Sequence, residues 1–536
     1  MTVPTRLTQC KGTLIDNFFV KVSHDYSPTT TRVLLNQISD HLPCFISLDF
    51  INSQKISEKF IKICPSGLMN YENFKNDLSS TEASEKLRNC IKENVNDSCN
   101  FFQDVLAFYV DKHFPQKYVR FNKYKHRRSK WVTSAILKSI SFRDKLYIKL
   151  KSTSETSSQY QQILTDFKTY NKILKQTIRS AKKIFFQNCF QKYQCDVKKN
   201  WDTINDVLNK TKKTKDYPKE FIINGSSESH EDTIVNKFNE YFIKIGPNLS
   251  KKIKAPIGKS FKDYLRTPNN TNFWFDEVDA NAVIKAIDTL KPKTSFGHDR
   301  ISNKLLKYVK QEVAWSLAKL VNQSFTEGVF PNSLKIAKVT PLHKKGENCL
   351  FDNYRPVSIL PSVSKVFERL MHDQIYNYFQ INKIFFESEY AFRPNHSTEF
   401  STLELIDRII FEMDKNNTPL SIFMDLSKAF DTLDHQILLH KMKFYGFANN
   451  SFNLIASYLS NRMQYVMMNN MESDLLTLEC GVPQGSILGP LLFIIYMNDL
   501  PNITKCLVPI IYADDTTLLT SFRNTNYAVK RRQINK

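Results

Sequence analysis

The type and spacing of three aspartates, Asp425, Asp514 and Asp515, indicate a chemical function. Asp514 and Asp515 are adjacent and lie between two short β-prone runs, 508–511 and 516–519, which predicts the tip of a tight hairpin. Asp425 ends a third run of this kind. If the strands lie side by side, the carboxylates converge, and they repel one another unless divalent cations lie between them. Two Mg²⁺ or Mn²⁺ ions held there could activate an attacking hydroxyl and stabilise the leaving oxygen of a phosphoryl transfer. An isolated pair of adjacent aspartates is more often a solvated turn.

A loop that contains glycine and proline, 481–486 (GVPQGS), precedes the apolar run 487–497. This pattern predicts a loop followed by a buried helix, and the glycines allow the backbone to approach a nucleotide closely. Together with 423–431 (FMDLSKAFD) and 512–515 (YADD), the loop resembles palm motifs A, B and C of reverse transcriptases. Within that family, the sequence is most similar to the jockey-like non-LTR retrotransposons.

The resemblance implies an RNA-directed DNA polymerase, in which a primer 3′-hydroxyl attacks the α-phosphate of a dNTP and pyrophosphate leaves. Asp425 and Asp514 are then expected to bind both metal ions. Asp515 is expected to support them, and the Leu426 carbonyl to complete the coordination of one ion. The implied fold is α+β, with the fingers and the antiparallel palm sheet of a right-hand polymerase. The implied partners are an RNA template, a DNA primer or target DNA, and dNTPs, with an element-encoded RNA-binding protein as a further one.

Cationic residues at a predicted hairpin are candidates for binding the triphosphate. Lys344 and Lys345 end a strand and Arg355 follows ten residues later; arginine can bind phosphate as a bidentate fork and lysine as a point charge. Taken alone, such residues are more often solvated hairpin charges. The resemblance assigns Phe430 to the sugar 2′-position, where a bulky ring excludes ribonucleotides, and Gln484 to the border between template and incoming base. The enzymatic alternative is an RNA-dependent RNA polymerase. Such enzymes usually have a hydrogen-bonding residue at the position of Phe430 and Gly-Asp-Asp at motif C.

The segment 390–398 (YAFRPNHST) resembles the part of the family that contacts the template backbone, although it has alanine where a glycine is usual. On this resemblance, the residues expected beside template or primer are Arg393, Ser397, Gly485 and Tyr512.

The first fifty residues resemble the C-terminal end of apurinic-endonuclease-like domains. The resemblance makes His41 catalytic and Asp16 the carboxylate that orients it. Asp40 becomes a metal-site or substrate-positioning carboxylate, whereas a surface turn histidine is the alternative for His41. Because so short a stretch cannot bury the core of a two-sheet sandwich, we interpret it as an inactive endonuclease remnant.

Composition favours a nucleic-acid partner. The 536 residues include 75 Lys and Arg against 53 Asp and Glu, a net charge of +22 that suits a polyanion, although many basic proteins carry only solvated lysine faces. The ten cysteines form no CxxC or Cys/His knuckle, which predicts a reduced intracellular chain without a structural zinc site. The expected location is the nucleus and cytoplasmic ribonucleoprotein. No apolar signal region or membrane-spanning run is present, so no membrane partner is expected.

Apolar residues recur at helical spacing between 51 and 270, which predicts packed helices. Helices are also predicted at 402–415 and 435–445, behind the palm sheet, with their Leu, Ile and Phe residues in the core. The predicted division is 1–50 endonuclease remnant, 51–270 basic helical connector, 271–520 fingers and palm, and 521–536 tail, with the end of the palm and the thumb missing. A second hypothesis is therefore a weak or silent nucleic-acid-binding fragment of a decayed element.

Overall fold

The computed structural model describes residues 67–120, 131–208, 217–253, 260–265 and 271–523 apart from isolated gaps, together with short strands before residue 67 and a few single positions. Asp16, Asp40 and His41, the predicted endonuclease residues, lie outside the described residues.

The described residues form mostly helices, with short strands at the N-terminus and longer ones after residue 335. In chain order the helices are α1 Leu68–Leu78, α2 Thr81–Arg88, α3 Val95–His113, α4 Ser134–Ser152, α5 Ser158–Lys192, α6 Val197–Val207, α7 Glu231–Ser250, α8 Ala280–Thr289, α9 Asn303–Tyr308, α10 Lys310–Glu327, α11 Ser362–Ile381, α12 Thr398–Asp414, α13 His435–Phe444, α14 Asn449–Leu459 and α15 Leu488–Met497. The strands are β1 Arg6–Leu7, β2 Gly12–Thr13, β3 Thr30–Val33, β4 Cys44–Ser47, β5 Phe60–Ile63, β6 Lys117–Arg120, β7 Phe221–Ile223, β8 Ser226–Glu228, β9 Ile336–His343, β10 Tyr354–Ile359, β11 Asn417–Asp425, β12 Met463–Met468, β13 Met471–Glu472, β14 Leu476–Thr477, β15 Val508–Tyr512 and β16 Asp515–Arg523. Short 3₁₀ turns lie at Phe261–Tyr264, Asn332–Lys335, Phe351–Asn353 and Leu500–Ile503.

The chain divides into two compact units, Met1–Ile63 with Lys117–Lys210, and Cys64–Gln116 with Thr211–Lys536. In the first unit, β1 to β6 pair two by two as antiparallel strands, and α4 and α5 pack along each other. Aromatic rings join these two helices: the centroids of Phe142 and Tyr170 are 5.0 Å apart. Both helices begin at side-chain caps, because Thr133 and Ser157 accept hydrogen bonds from free backbone N–H groups of the first turn.

The second unit is built around α10, whose apolar face is buried between α3, α8 and α14. Helices α1, α2 and α3 supply Phe74, Leu87 and Phe102 to this main core, so the segment 68–113 is part of the unit that also contains the three aspartates. A smaller core forms where α7 packs against β12, with Phe238 and Val466 fully buried.

Two sheets lie in the second unit. In the first, the strand order is β10-β9-β12-β13, with β14 also paired to β12; β9 and β12 are parallel, and β9 and β10 form an antiparallel hairpin. The second sheet has the order β11-β16-β15 and is antiparallel throughout. Helix α12 packs against β11 and β15 of this second sheet. The described chain is therefore a mixed α+β protein, as the sequence predicts, whereas its division into fingers and palm stays a prediction.

Helix α12 differs from the sequence prediction in its burial. It packs on the sheet as expected, but none of its residues is buried, and Leu403, Ile406 and Ile410 are about half exposed. The prediction that its apolar residues belong to the core is wrong, because the elements packed against this helix leave every one of its residues at least partly exposed. Helix α13 conforms better, with Leu438 and Met442 fully buried.

Candidate active site

The three aspartates lie at the same end of the antiparallel sheet. Asp425, the last residue of β11, lies directly opposite Asp515, the first residue of β16. Residues opposite each other on neighbouring strands project from the same face of a sheet. The two negative charges therefore repel each other unless a cation lies between them. Asp514 lies in the turn between β15 and β16, and its carbonyl accepts a hydrogen bond of 3.1 Å from the Leu426 N–H. This hydrogen bond joins the segment 423–431 to the segment 512–515, which resemble motifs A and C.

The turn itself is tight. Tyr512 pairs with Asp515 at the end of the hairpin, and Ala513 has a φ of +56°, in the left-handed region that residues with a Cβ rarely adopt. This geometry places the Asp514 side chain, half-exposed, toward the cleft described next.

A cleft of about 420 Å³ lies beside the turn. Asp425 and Asp514 lie on its wall, whereas Asp515, the exposed residue opposite Asp425, is not among the residues that line it. Other predicted site residues that line the same cleft are Lys344, Lys345, Arg355, Leu426, Phe430 and Gln484. The hairpin β9–β10 brings the cations there: the two lysines begin its loop, and Arg355 is the second residue of β10 and is exposed.

The donor set in the cleft suits Mg²⁺ or Mn²⁺. Mg²⁺ is usually bound by one or two carboxylates and keeps waters and substrate phosphates as its other ligands. Asp425 and Asp514 supply two carboxylates, and Leu426 lines the same wall. In the part of the chain that the structure describes, no group of three His, Cys, Asp or Glu side chains is arranged to hold a metal ion. The convergence of all three carboxylates therefore stays a prediction.

Phe430 forms part of the cleft and is held by other rings. Its centroid lies 4.7 Å from that of Phe493 of α15 in a stacked arrangement, and 6.0 Å from that of Phe392. A half-buried ring fixed in this way can act as a steric boundary of the cleft.

Gln484 is oriented by Asp431. Its Nε2 donates to both carboxylate oxygens of Asp431, at 2.8 and 2.9 Å, and its backbone carbonyl accepts from the Ser358 N–H at 2.9 Å. Burial raises the pKa of Asp431, and the hydrogen bond from Gln484 opposes that shift. Gly485 follows with a φ of +126°, and a Cβ at this position would lie 2.6 Å from the Ser358 carbonyl oxygen. Glycine is therefore required for the loop to pack against β10.

The structure gives the predicted template and primer residues internal contacts. The guanidinium of Arg393 donates to the Phe386 and Glu389 carbonyls at 3.0 Å each. Ser397 caps the start of α12, and Tyr512 packs against the main core. Contact of these residues with template or primer stays a prediction.

Two buried acids escape the motif-based prediction. Glu368 of α11 is fully buried, and its Oε2 accepts the N–H groups of Ile487 and Leu488 at 2.6 and 3.4 Å, where α15 begins. Glu389, 4% exposed, accepts the Ala513 N–H at 3.4 Å. The sequence signal for Glu368 is an acid on the apolar face of an amphipathic helix, between Phe367 and Leu370. No comparable signal marks Glu389, which lies in a loop.

Comparison with known proteins agrees with the motifs. Residues 342–533 match the family described as reverse transcriptase (RNA-dependent DNA polymerase). The chain is 28% identical over 274 residues to the RNA-directed DNA polymerase from mobile element jockey of Drosophila melanogaster, an alignment that covers 50% of this chain and 30% of that protein. It is 31% identical over 277 residues to the probable RNA-directed DNA polymerase from transposon BS of the same species, with the same two coverages. The chain is also 34% identical over 207 residues to the probable RNA-directed DNA polymerase from transposon X-element of Drosophila melanogaster. That alignment covers 38% of this chain and 23% of the relative.

The alignments thus span less than a third of the length of these relatives. Among the described helices, none is both long and apolar enough to cross a membrane. The matched segment, the motif order and the cleft all lead to one assignment. Residues 342–533 match a reverse transcriptase (RNA-dependent DNA polymerase) domain, and the chain is similar over about half its length to RNA-directed DNA polymerases of the jockey and BS elements.

Proposed function

We propose that the chain catalyses RNA-directed DNA synthesis, the transfer of a nucleotide from a dNTP to a primer 3′-hydroxyl on an RNA template. The observation that carries this proposal is the position of Asp425 and Asp514 in one cleft with Lys344, Lys345 and Arg355. Two acids that suit divalent cations, next to three cations that suit phosphates, match the charges of a metal-bound triphosphate.

Each side chain has a role in this proposal. Asp425 and Asp514 would hold two Mg²⁺ ions, which when bound would supply activation of the 3′-hydroxyl and stabilisation of the leaving oxygen. Arg355 and the lysine pair bind the β- and γ-phosphates and keep the triphosphate in line with the primer terminus. The fixed ring of Phe430 borders the sugar, and Gln484, oriented by Asp431, borders the base.

Primer extension tests the proposal. On a primed RNA template with Mg²⁺, we expect extension by the full chain and its loss in Asp514→Asn, because an amide is a poor ligand for a hard cation. The metals contribute several kcal/mol to the transition state, so we expect the rate to fall by about 10²-fold or more. Asp474→Asn, the same change at an exposed position, is the control and keeps the activity. Equal extension by Asp514→Asn and the control contradicts the proposed site.

A second candidate function, sequence-independent binding of nucleic acid, is favoured by a stripe of cations on α5. Lys168, Lys172, Lys175, Arg179 and Lys182 recur at intervals of four and three residues, which places them on one face of the helix. The first four are exposed, and in the described part of the chain none of the five forms an ion pair. At about 1.5 Å per residue the stripe is about 21 Å long. A solvated helix face usually alternates acids with bases, so an unneutralised stripe favours a polyanion such as the phosphate backbone.

Salt dependence tests this second candidate. Changing Lys168, Lys172 and Lys175 to Gln should weaken binding of a single-stranded RNA. The slope of log K against log salt should also fall, by about 0.7 for each phosphate that the helix no longer neutralises. The matched control changes three lysines of the other unit, Lys237, Lys244 and Lys319, to Gln. An unchanged slope in the α5 variant shows that the stripe is only a solvated face.

A further inference from the structure

Ala513, next to the proposed metal ligand Asp514, has a backbone conformation that costs free energy. Its φ of +56° lies in the left-handed region, where a Cβ is sterically disfavoured, and the residue is buried, with 4% of its surface exposed. Such a conformation persists only where surrounding groups hold it. The position of the Asp514 carboxylate depends on it, because the Ala513 backbone sets the direction in which the chain leaves β15.

Glu389 supplies a hydrogen-bond acceptor to the turn that contains Ala513. Its Oε1 accepts hydrogen bonds from the Ala391 N–H at 2.8 Å and from the Ala513 N–H at 3.4 Å. The side chain is almost fully buried, and burial raises its pKa to about 7. A buried carboxyl group is costly unless it is hydrogen-bonded, and the two N–H groups supply those bonds.

The segment that carries Glu389 is itself paired with β15. The Tyr390 N–H donates to the Ile511 carbonyl and the Ile511 N–H donates to the Ser388 carbonyl, both at 2.9 Å. These bonds form a parallel bridge between Glu389 and Ile511. The segment thus extends the sheet β11-β16-β15 by one short pairing, which fixes the carboxyl group under the turn. The guanidinium of Arg393, bonded to the Glu389 carbonyl, fixes the same segment from its other side.

We propose that Glu389 is a positioning residue that holds the Ala513 turn, and through it the Asp514 carboxylate, in the geometry required for metal binding. The proposal rests on the proposed function for the role of Asp514 and adds a residue outside motifs A, B and C. A merely structural role, in which Glu389 caps only its own loop at Ala391, is the alternative that the experiment must separate.

Amide hydrogen exchange of the full chain is the first measurement, because it needs no activity. In Glu389→Leu, we expect amides in 511–515 to exchange about tenfold faster, as for the loss of one hydrogen bond to a carboxylate. Glu389→Gln keeps an acceptor oxygen in the same place and is expected to exchange as the original chain does. Glu387→Leu, the same change at an exposed position two residues away, is the matched control. Unchanged exchange within α10 shows that each variant is folded.

Mn²⁺ affinity and primer extension are measured on the same proteins. We expect Glu389→Leu to bind Mn²⁺ about tenfold more weakly and to lose kcat while KM for dNTP stays nearly constant, because the variant leaves unchanged the cations proposed to bind the triphosphate, Arg355 and the lysine pair. Rescue by Glu389→Gln completes the expected pattern. Exchange in 511–515 that is equal in Glu389→Leu and Glu387→Leu overturns the proposal, and so does faster exchange with unchanged Mn²⁺ affinity. If the original chain binds no Mn²⁺ and extends no primer, the proposed function fails, while the exchange data still report whether Glu389 holds the turn.

Discussion

Phe430 lines the cleft, and its ring carries a prediction about single residues. Phe430→Ala should admit a 2′-hydroxyl and raise ribonucleotide incorporation relative to dNTP by about tenfold or more, since shape differences in a pocket are worth about 1–3 kcal/mol. Incorporation of both sugars in single-nucleotide extension measures this ratio. Phe493→Leu is the control, because it disturbs the stacking partner behind the ring without opening the cleft wall. A similar ratio in both variants would mean that Phe430 acts only as a packing residue.

Asp425 and Asp514 line one cleft, and their strands and turn could be predicted because hydrophobic runs define the strands and an adjacent acid pair defines the turn. For Arg393, contact with the template stays a prediction, and its guanidinium donates to backbone carbonyls. The sequence shows that an arginine is available in a loop but not which acceptors the fold brings within its reach. Glu389 could not be singled out for the same reason, because it is paired with Ile511, more than a hundred residues away.

At the scale of elements, strand pairing follows from the sequence better than helix burial does. The three strands near the aspartates occur close to the predicted runs, because alternation and turn residues specify them locally. Helix α12 has the amphipathic pattern of a core helix but no buried residue. Periodicity shows that a helix has an apolar face, whereas burial depends on what packs against that face. Helix α15 shows the complementary case: Glu368, distant in sequence, accepts the free N–H groups at its start.

Glu368 predicts a pH dependence of stability. Burial raises the pKa of this carboxyl group, and the charge of Arg462 opposes the shift. The folded state therefore keeps the proton at pH values where the unfolded chain has lost it, so Glu368 costs stability as the pH rises above its ordinary value of 4.5.

Glu368→Gln removes this titration, and the stability of the variant relative to the original chain is expected to be higher at pH 8 than at pH 5. A shift of one pKa unit corresponds to about 1.4 kcal/mol. Urea denaturation at the two pH values measures the difference, with the exposed Glu472→Gln as the control. A relative stability that is the same at both pH values contradicts the assignment of a raised pKa.

For the whole molecule, charge and composition indicate a kind of partner but do not specify the architecture. The net charge of +22 suits nucleic acid, and the α5 stripe concentrates part of it on one helix face. The grouping of 64–116 with 211–536 in one compact unit depends on packing of α1 to α3 against distant helices, which periodicity in a single segment cannot reveal. Helical spacing predicts that a helix forms, but it does not predict which other elements pack against that helix.

We propose that Asp425 and Asp514 together hold the ions of a nucleotidyl transfer. The most direct test is a structure of the chain with a primer-template, a non-hydrolysable dNTP and Mn²⁺, in which anomalous scattering locates the metal. We predict a Mn²⁺ peak in the cleft, within about 2.0–2.3 Å of a carboxylate oxygen of each aspartate, with the triphosphate against Arg355. A nucleotide bound in the cleft with Mn²⁺ away from either aspartate, or Mn²⁺ held only by the phosphates, would show that the two aspartates do not hold the ions together.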